Sequence, residues 1–284
     1  MTRSYKSART KSKCFAAFLV LAVLPVMIPV EALRAEEFRA ADTLGRDYLK
    51  QIGRDLGAVA QSPLKWKGRD LAFFGAVAGT GIFLVSVDDD IRSFVRDHRS
   101  SGTKDAAAFF DHFGDGAVLT ALMAGVYATG LIADKPGWRR TALLGFESYV
   151  ISSLFTTGIK TMAGRSRPLA EEGHLRFRPF STVSRRTSFP SGHTSAAWAV
   201  AAAVADGSDS LVVDAICYST AAMVTLARIH KDKHWASDVF FGAVLGYASA
   251  KMICRRNRAG DGTETSAGLT LVAGSPAMVF SVSF

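Results

Sequence analysis

Cysteine is scarce in this sequence, with three residues in 284. Cys14, Cys217 and Cys254 have no spacing typical of a metal site, and Cys217 and Cys254 lie in apolar runs. We therefore expect buried free thiols rather than a disulfide. No cluster of His, Cys or carboxylate side chains suited to a metal accompanies the motifs described below, so the sequence predicts no metal and no cofactor.

Nucleic-acid-binding motifs and internal repeats are also absent. The formal net charge is +9, but the basic residues gather around three short motifs rather than along one stripe. This pattern favours an anion-binding cleft over a polynucleotide surface, so no nucleic-acid partner is expected. The hydrophobic content of 49% and the mean hydropathy of +0.17 leave open whether the chain is soluble or lies in a membrane.

The N-terminal region has the order of a targeting segment. Five basic residues within positions 1–13 precede an uncharged run from Cys14 to Val30, and small residues follow. Residues 1–32 are therefore predicted to be a secretory signal peptide, with an uncleaved N-terminal membrane anchor as the alternative. Residues 33–69 are polar and mixed, with an amphipathic stretch around 44–56, and are interpreted as an exported N-terminal extension.

Six apolar segments follow and predict the fold class. They cover residues 70–87, 117–133, 141–159, 194–206, 211–227 and 238–254. Each is rich in Ala, Gly, Val and Leu, and each is predicted to be helical, which gives an all-α bundle of about six core helices over residues 70–256. The segments are at or below the length of about 20 residues that spans a bilayer. We expect an exported, periplasmic or membrane-attached domain of the bacterial cell envelope, with a multi-pass inner-membrane protein as the alternative.

The C-terminal tail, residues 257–284, has a different character. After Gly260 the apolar residues alternate with polar ones around a Gly-Ser-Pro turn. This alternation predicts a short β-hairpin.

The central motif is Phe189-Pro190-Ser191-Gly192-His193-Thr194. Pro190 restricts the preceding residue to extended geometry, so the chain is expected to turn there. Ser191 is a suitable N-cap for the helix that follows, and Gly192 allows close approach of the backbone to a bound group. The free N–H groups and positive dipole end of that helix form an anion site with His193 at its edge.

Two further motifs flank the central one. Upstream, six residues separate Lys160 from Arg167-Pro168, a spacing of nearly two helical turns that would point both cations the same way. Downstream, five residues separate Arg228 from His234, and three separate His234 from Asp238. At positions i and i+4 of a helix, the carboxylate of Asp238 would hold the imidazole of His234 in one orientation.

These three motifs in this order resemble those of the type 2 phosphatidic acid phosphatase superfamily, which also contains bacterial class A acid phosphatases and vanadium haloperoxidases. The resemblance covers roughly residues 70–255. One departure is visible, because Ala227 stands where the third motif usually has serine before Arg228. This removes one hydroxyl contact to phosphate and no group that makes or breaks bonds.

The resemblance assigns a role to each matching residue. His234 is the expected nucleophile, which forms a phosphohistidine, His193 is the acid that protonates the leaving group, and Asp238 orients His234. The expected phosphate-binding residues are Lys160, Arg167, Ser191, Gly192 and Arg228. No metal is required for this chemistry in the family.

The predicted function is therefore metal-independent hydrolysis of a phosphomonoester or pyrophosphate, with a phosphorylated lipid of the envelope as substrate. A periplasmic acid phosphatase acting on small soluble phosphate esters is the main alternative. A vanadate-dependent haloperoxidase and a non-catalytic lipid-phosphate binder are weaker alternatives. Membrane contact is expected.

Several polar residues near the motifs are given ordinary structural interpretations. Arg165 and the loop arginines at 176, 178, 185 and 186 are expected to be solvated charges, and Asp88-Asp89-Asp90 is expected to be a solvated helix end. His174 and His230 are interpreted as bystanders. Trp235 is expected to line the pocket.

Overall fold

The computed structural model describes residues 41–258, and this part of the chain is helical. The α-helices are α1 Arg46–Gln61, α2 Gly68–Ser86, α3 Asp88–Asp97, α4 Ser101–Asp111, α5 Gly116–Ile132, α6 Pro136–Ala163, α7 Gly192–Asp206, α8 Leu211–His230 and α9 Ala236–Arg256. The predicted signal segment and the predicted C-terminal hairpin lie outside the described residues.

The all-α prediction is confirmed, and each of the six apolar segments forms a helix: α2 and α5 to α9. The ends follow local signals, since α6 begins with Pro136 at its first turn and ends at Gly164, whose φ of 60° is left-handed. Two helices, α3 and α4, were not predicted because their sequences are short and polar. The loop from 164 to 191 carries only short 3₁₀ turns.

Helix α7 forms the centre of the bundle. It packs against α6, α8 and α9, and seven of its 15 residues are buried alanines. Small residues bring the backbones close together. A Cβ atom added at Gly246 of α9 would lie 2.1 Å from the carbonyl oxygen of Ser195 in α7.

Helix α1 packs across the bundle at the end opposite to the three motifs. The hydroxyl of Tyr48 donates to the carbonyl of Leu143 at 2.9 Å, and the amide of Gln51 donates to the buried carboxylate of Glu147 at 2.8 Å. The carboxylate of Asp55 accepts from Arg256 at 2.9 Å. The described part of the N-terminal extension is therefore tied to both α6 and α9.

Apolar side chains cover the outside of several helices. Helices α2, α6 and α8 are long and apolar enough to cross a membrane, and α4 with α5 would form a fourth span bent by 63°. On α2, large apolar side chains face outward: Leu71, Phe73, Phe74, Ile82 and Phe83. Such a surface is unfavourable in water, so the alternative, a multi-pass protein of the bacterial inner membrane, is supported, and a wholly periplasmic bundle is not.

The topology collects the motifs at one end of the bundle. Helices α2, α6 and α8 end there, while α7 and α9 begin there. The ends of α6 and α8 carry Lys160 and Arg228, and the starts of α7 and α9 lie beside His193 and His234.

Candidate active site

Three cations surround the start of α7. The ammonium of Lys160 donates to the carbonyl of Pro190 at 2.5 Å, and a Cβ atom at Gly192 would lie 3.6 Å from the same side chain. Burial lowers the pKa of Arg167, and the nearby positive charge of Arg228 lowers it further. The structure therefore brings together all three predicted cations and the predicted glycine.

The two arginines have unused donors. The Nε atoms of Arg167 and Arg228 are buried and have no hydrogen-bond partner. Buried donors of a charged group normally find an acceptor, because leaving them unpaired is costly. An anion between the two guanidinium groups would supply that acceptor.

Helix α6 ends earlier than the sequence indicated. The predicted alignment of Lys160 and Arg167 requires one helix through both residues, but α6 stops at Ala163, and Gly164 begins a loop. Lys160 and Arg167 therefore do not share one helix. They meet because the loop turns back across the end of the bundle, where the N–H of Arg167 donates to the carbonyl of Arg185 at 2.9 Å.

Asp111, at the end of α4, is a residue that sequence reasoning missed. Its carboxylate accepts from Arg228 at 2.6 Å and from Lys231 at 2.6 Å. One guanidinium nitrogen of Arg228 is thus held by Asp111 while its Nε is left for another acceptor. No signal in the sequence links these residues, since α4 and the end of α8 are far apart in the chain.

Ser191 is the N-cap of α7, as predicted. Its Oγ accepts from the N–H of Thr194 at 3.5 Å and from the Thr194 hydroxyl at 2.9 Å. Its N–H donates to the carbonyl of Asp238 at 2.9 Å, which joins the start of α7 to the start of α9. The side chain is fully buried, so the role of Ser191 as a phosphate ligand stays a prediction.

His193 is half-buried in the first turn of α7. Burial lowers its pKa to about 4, and the positive charges of Arg228 and Lys160 add to this effect, while Asp111 and Asp115 oppose it. Without a bound anion, the imidazole is therefore neutral at neutral pH. A bound dianion would offset the positive charges and favour the protonated form.

His234 is 2% exposed and lies between α8 and α9. Its Nδ1 lies 2.8 Å from the carbonyl oxygen of Ser188, which can only accept, so Nδ1 carries the proton. Burial lowers the pKa of His234 to about 3 despite the opposing effect of Asp238. The Nε2 atom of the neutral ring therefore keeps its lone pair.

The predicted helical pairing of His234 with Asp238 is wrong. Helix α9 begins at Ala236, so His234 lies outside it, and its Nδ1 is 3.8 Å from the nearest carboxylate oxygen of Asp238. That carboxylate accepts from Arg165 at 2.6 Å, from the hydroxyl of Ser188 at 2.5 Å and from the N–H of Trp235 at 2.9 Å. Asp238 thus makes closer contacts with the residues around His234 than with the imidazole ring itself.

The interpretations of Arg165 and Asp88 as solvated charges are also wrong. Both side chains are fully buried, and they form an ion pair of 2.8 Å. Burial raises the pKa of Asp88, and the charge of Arg165 opposes that rise. Neither residue has a local signal, because Asp88 opens the acidic run that begins α3 and Arg165 is one of several arginines in the loop after α6.

Three aromatic or imidazole residues complete the surroundings. Trp235 is 1% exposed and donates to the carbonyl of Ser166 at 2.8 Å, so it is buried beneath the loop rather than lining an open pocket. His174 pairs with Asp89 at 2.5 Å, and His230 contacts the hydroxyl of Thr103 at 3.1 Å. Neither histidine is among the partners of the three cations.

Within the described residues, Cys217 and Cys254 are free thiols, as predicted. No group of three or more His, Cys, Asp or Glu residues in 41–258 is arranged to hold a metal ion. The prediction that the chemistry needs no metal is not tested by this arrangement.

The chain is similar to a curated protein. A lipid A 1-phosphatase of Porphyromonas gingivalis is 27% identical over 234 residues, which cover 81% of this chain and 48% of that protein. The chain therefore spans about half the length of this curated relative.

One solved structure shares the fold. Aquifex aeolicus LpxE superposes with a TM-score of 0.50 and 20% identity, covering 60% of this chain and 95% of that one. A transmembrane PAP2 type phosphatidylglycerolphosphate phosphatase from Bacillus subtilis has a TM-score of 0.46 and 17% identity, covering 63% and 92%. Residues 141–259, which include all three motifs, match the PAP2 superfamily.

Proposed function

We propose that this protein is a metal-independent phosphatase that hydrolyses a phosphomonoester or pyrophosphate group of an envelope lipid through a phosphohistidine on His234. The observation that carries this proposal is the pair of buried, unpartnered Nε donors on Arg167 and Arg228. The charges of Arg228 and Lys160 also act on the neutral imidazole of His234, whose Nε2 keeps its lone pair. Binding alone would use the cations but would have no use for that imidazole.

Fixed positive charge supports the first step of the reaction. A phosphate ester repels nucleophiles through its own negative oxygens, and Lys160, Arg167 and Arg228 neutralise that charge without reorganising. The backbone N–H groups at the start of α7 add further donors near Gly192.

The reaction then proceeds by two displacements. The Nε2 lone pair of His234 forms a bond to phosphorus as the bond to the leaving oxygen breaks, and His193 gives its proton to that oxygen. A water molecule, deprotonated by the now neutral His193, displaces phosphate from His234. Both imidazoles are thereby restored, and the products are inorganic phosphate and an alcohol or a shorter phosphate.

The lipid substrate is proposed from two further observations. Helices α6 and α8, whose ends carry Lys160 and Arg228, present exposed apolar side chains suited to acyl chains, so a membrane lipid could bring its phosphate to the end of the bundle. The relative from Porphyromonas gingivalis acts on lipid A. A lipid A phosphate is therefore the first lipid to test.

The test compares substrates at equal phosphate concentration in mixed micelles. Phosphate release is measured without added metal, with a lipid A phosphate or phosphatidate and with p-nitrophenyl phosphate. A higher kcat/KM for a lipid supports the proposal. Equal or better use of p-nitrophenyl phosphate would make the protein a phosphatase of soluble esters, and release from neither class would contradict the phosphatase assignment.

A further inference from the structure

Arg165 is a fully buried charge that the proposed chemistry does not use. Its Nη1 donates to Asp238 at 2.6 Å and to the hydroxyl of Ser237 at 2.7 Å, and its Nη2 donates to Asp88 at 2.8 Å. Its Nε donates to the carbonyl of His174 at 2.8 Å. The guanidinium thus joins the start of α3, the start of α9 and the loop between α6 and α7.

The backbone of Arg165 closes the same network around His234. Its carbonyl accepts from the N–H of Ser188 at 2.9 Å. Ser188 in turn accepts from Nδ1 of His234 through its own carbonyl, and its hydroxyl donates to Asp238. Both groups that face the His234 ring, the Ser188 carbonyl and the Asp238 carboxylate, are therefore held by Arg165.

Asp88 fixes the other side of this network. One carboxylate oxygen accepts from the N–H of Ser237 at 3.0 Å, and the other accepts from its hydroxyl at 2.6 Å and from Arg165. Asp88 therefore holds the first turn of α9 and balances the charge of Arg165 in a site with no water contact. A fully paired buried network of this kind specifies one geometry and is sensitive to the loss of any member.

We infer that Asp88 and Arg165 are positioning residues that keep Nε2 of His234 aimed at the phosphate-binding cations by holding Ser188 and Asp238 in place. The inference rests on the proposed function. Neither residue is expected to touch the substrate, because both are fully buried and lie behind His234.

A change in the network around Asp88 should affect turnover without affecting phosphate binding. Lys160, Arg167 and Arg228 do not depend on Asp88 for their contacts, so Asp88→Asn should leave phosphate binding intact. A nucleophile displaced by about 1 Å loses about 100-fold in rate, so kcat should fall between about 10- and 100-fold. The inhibition constant for inorganic phosphate and the KM should change by less than about threefold.

The experiment measures kcat, KM and competitive inhibition by inorganic phosphate for the full-length protein in micelles. Asp90→Asn is the matched control, because Asp90 lies in the same acidic run, is exposed and makes none of these contacts. Its kcat should equal that of the wild type. If Asp88→Asn does not fold, Arg165→Lys serves instead, since it keeps the charge and loses the planar fork.

A double-mutant cycle with Asp238→Asn gives a second readout. If both carboxylates act through the same network, the combined loss in kcat should be clearly smaller than the product of the single losses. Wild-type kcat in a folded Asp88→Asn protein would overturn the inference. Equal losses of phosphate affinity and kcat would also overturn it, since they indicate general damage to the site. An inactive wild type would instead contradict the proposed function.

Discussion

Nδ1 of His234 lies 2.8 Å from the carbonyl oxygen of Ser188, and this contact sets which ring nitrogen is free. A peptide carbonyl can only accept, so it fixes the tautomer with the proton on Nδ1 and the lone pair on Nε2. The backbone carbonyl fixes this tautomer without placing a full negative charge next to the ring. Asp238 then acts mainly on Ser188, Trp235 and Arg165.

Replacing His234 by alanine should remove turnover and preserve phosphate binding. The imidazole forms the proposed covalent bond, so kcat should fall by at least about 10³-fold, while the three cations remain. Rapid quenching with ³²P-labelled substrate should trap labelled protein for the wild type and none for the variant. His230→Ala is the control, since His230 lies near the motif and its ring nitrogen contacts the hydroxyl of Thr103. Normal turnover by His234→Ala would exclude this mechanism.

Replacing His193 by glutamine should affect substrates according to their leaving groups. An alkoxide needs a proton as it departs, whereas p-nitrophenolate is stable without one. We expect a loss of about 10²–10⁴-fold with an alkyl phosphate and a much smaller loss with p-nitrophenyl phosphate. The two substrates are compared in one buffer series. Equal losses for both would contradict the role of His193 as the acid.

The fall in kcat at alkaline pH should also disappear in His193→Gln. In the substrate complex the wild-type imidazole must be protonated, so its kcat declines as pH rises through the His193 pKa. The variant has no such group, so its residual kcat should be flat in this range. An unchanged alkaline limb would assign that titration to another residue.

The two buried histidines should make the folded state acid-sensitive. Burial lowers the pKa of His193 to about 4 and that of His234 to about 3, below the usual value of about 6.5 in an unfolded chain. The unfolded state therefore binds more protons below pH 6.5, and the free energy of unfolding falls as pH drops from there toward 4. The slope is at most about 1.4 kcal/mol per pH unit for each group.

The measurement is the Tm in detergent between pH 7.5 and 4.5. His193→Gln should flatten this dependence, whereas His98→Gln, which changes an exposed side chain, should not. The same steep decline in His193→Gln as in the wild type would show that other groups cause it.

Sequence patterns predicted the helices of the core and the residues that meet at the end of the bundle. A long apolar run, such as the one between Pro136 and Gly164, strongly predicts a helix. Three motifs at helix ends predict one anion site. These patterns failed where the separation of two residues in the sequence was taken to give their relative positions in space. His234 and Asp238 are four residues apart, yet α9 starts between them, so a helical face does not relate them.

Long-range ionic pairing could not be predicted from the sequence. Asp88 and Arg165 are 77 positions apart, and nothing local distinguishes them from the exposed Asp90 and Arg176. Only the packed bundle shows that both are fully buried and satisfy each other. The same holds for Asp111, which meets Arg228 across 117 positions.

Arg167→Gln should weaken phosphate binding far more than the removal of a positive charge from an exposed loop residue does. The side chain is partly buried and its buried Nε is unpartnered, so the guanidinium is available for a two-point contact with phosphate oxygens. We expect the inhibition constant for inorganic phosphate to rise at least about tenfold, which corresponds to about 1.4 kcal/mol. Arg176→Gln removes the same charge from an exposed position and is the control. Similar effects of both changes would indicate only long-range electrostatics.

Gly246→Ala should destabilise the bundle through the contact between α7 and α9. The new Cβ would lie 2.1 Å from the carbonyl oxygen of Ser195, which belongs to a rigid helix backbone and cannot yield without moving α7. Overpacking of this kind costs about 1–3 kcal/mol. Because α7 and α9 also carry His193 and Asp238 at their starts, kcat should fall along with the Tm.

Gly57→Ala makes the same change where a Cβ atom meets nothing within 4 Å. In the interior of α1 it should stabilise the protein by about 0.5–1 kcal/mol, because alanine favours helix more than glycine does. The Tm of both variants is measured in one detergent. If close backbone packing, rather than helix propensity, decides the effect at Gly246, Gly246→Ala lowers the Tm and Gly57→Ala raises it. A raised Tm for both would mean that α7 and α9 are not in direct contact there.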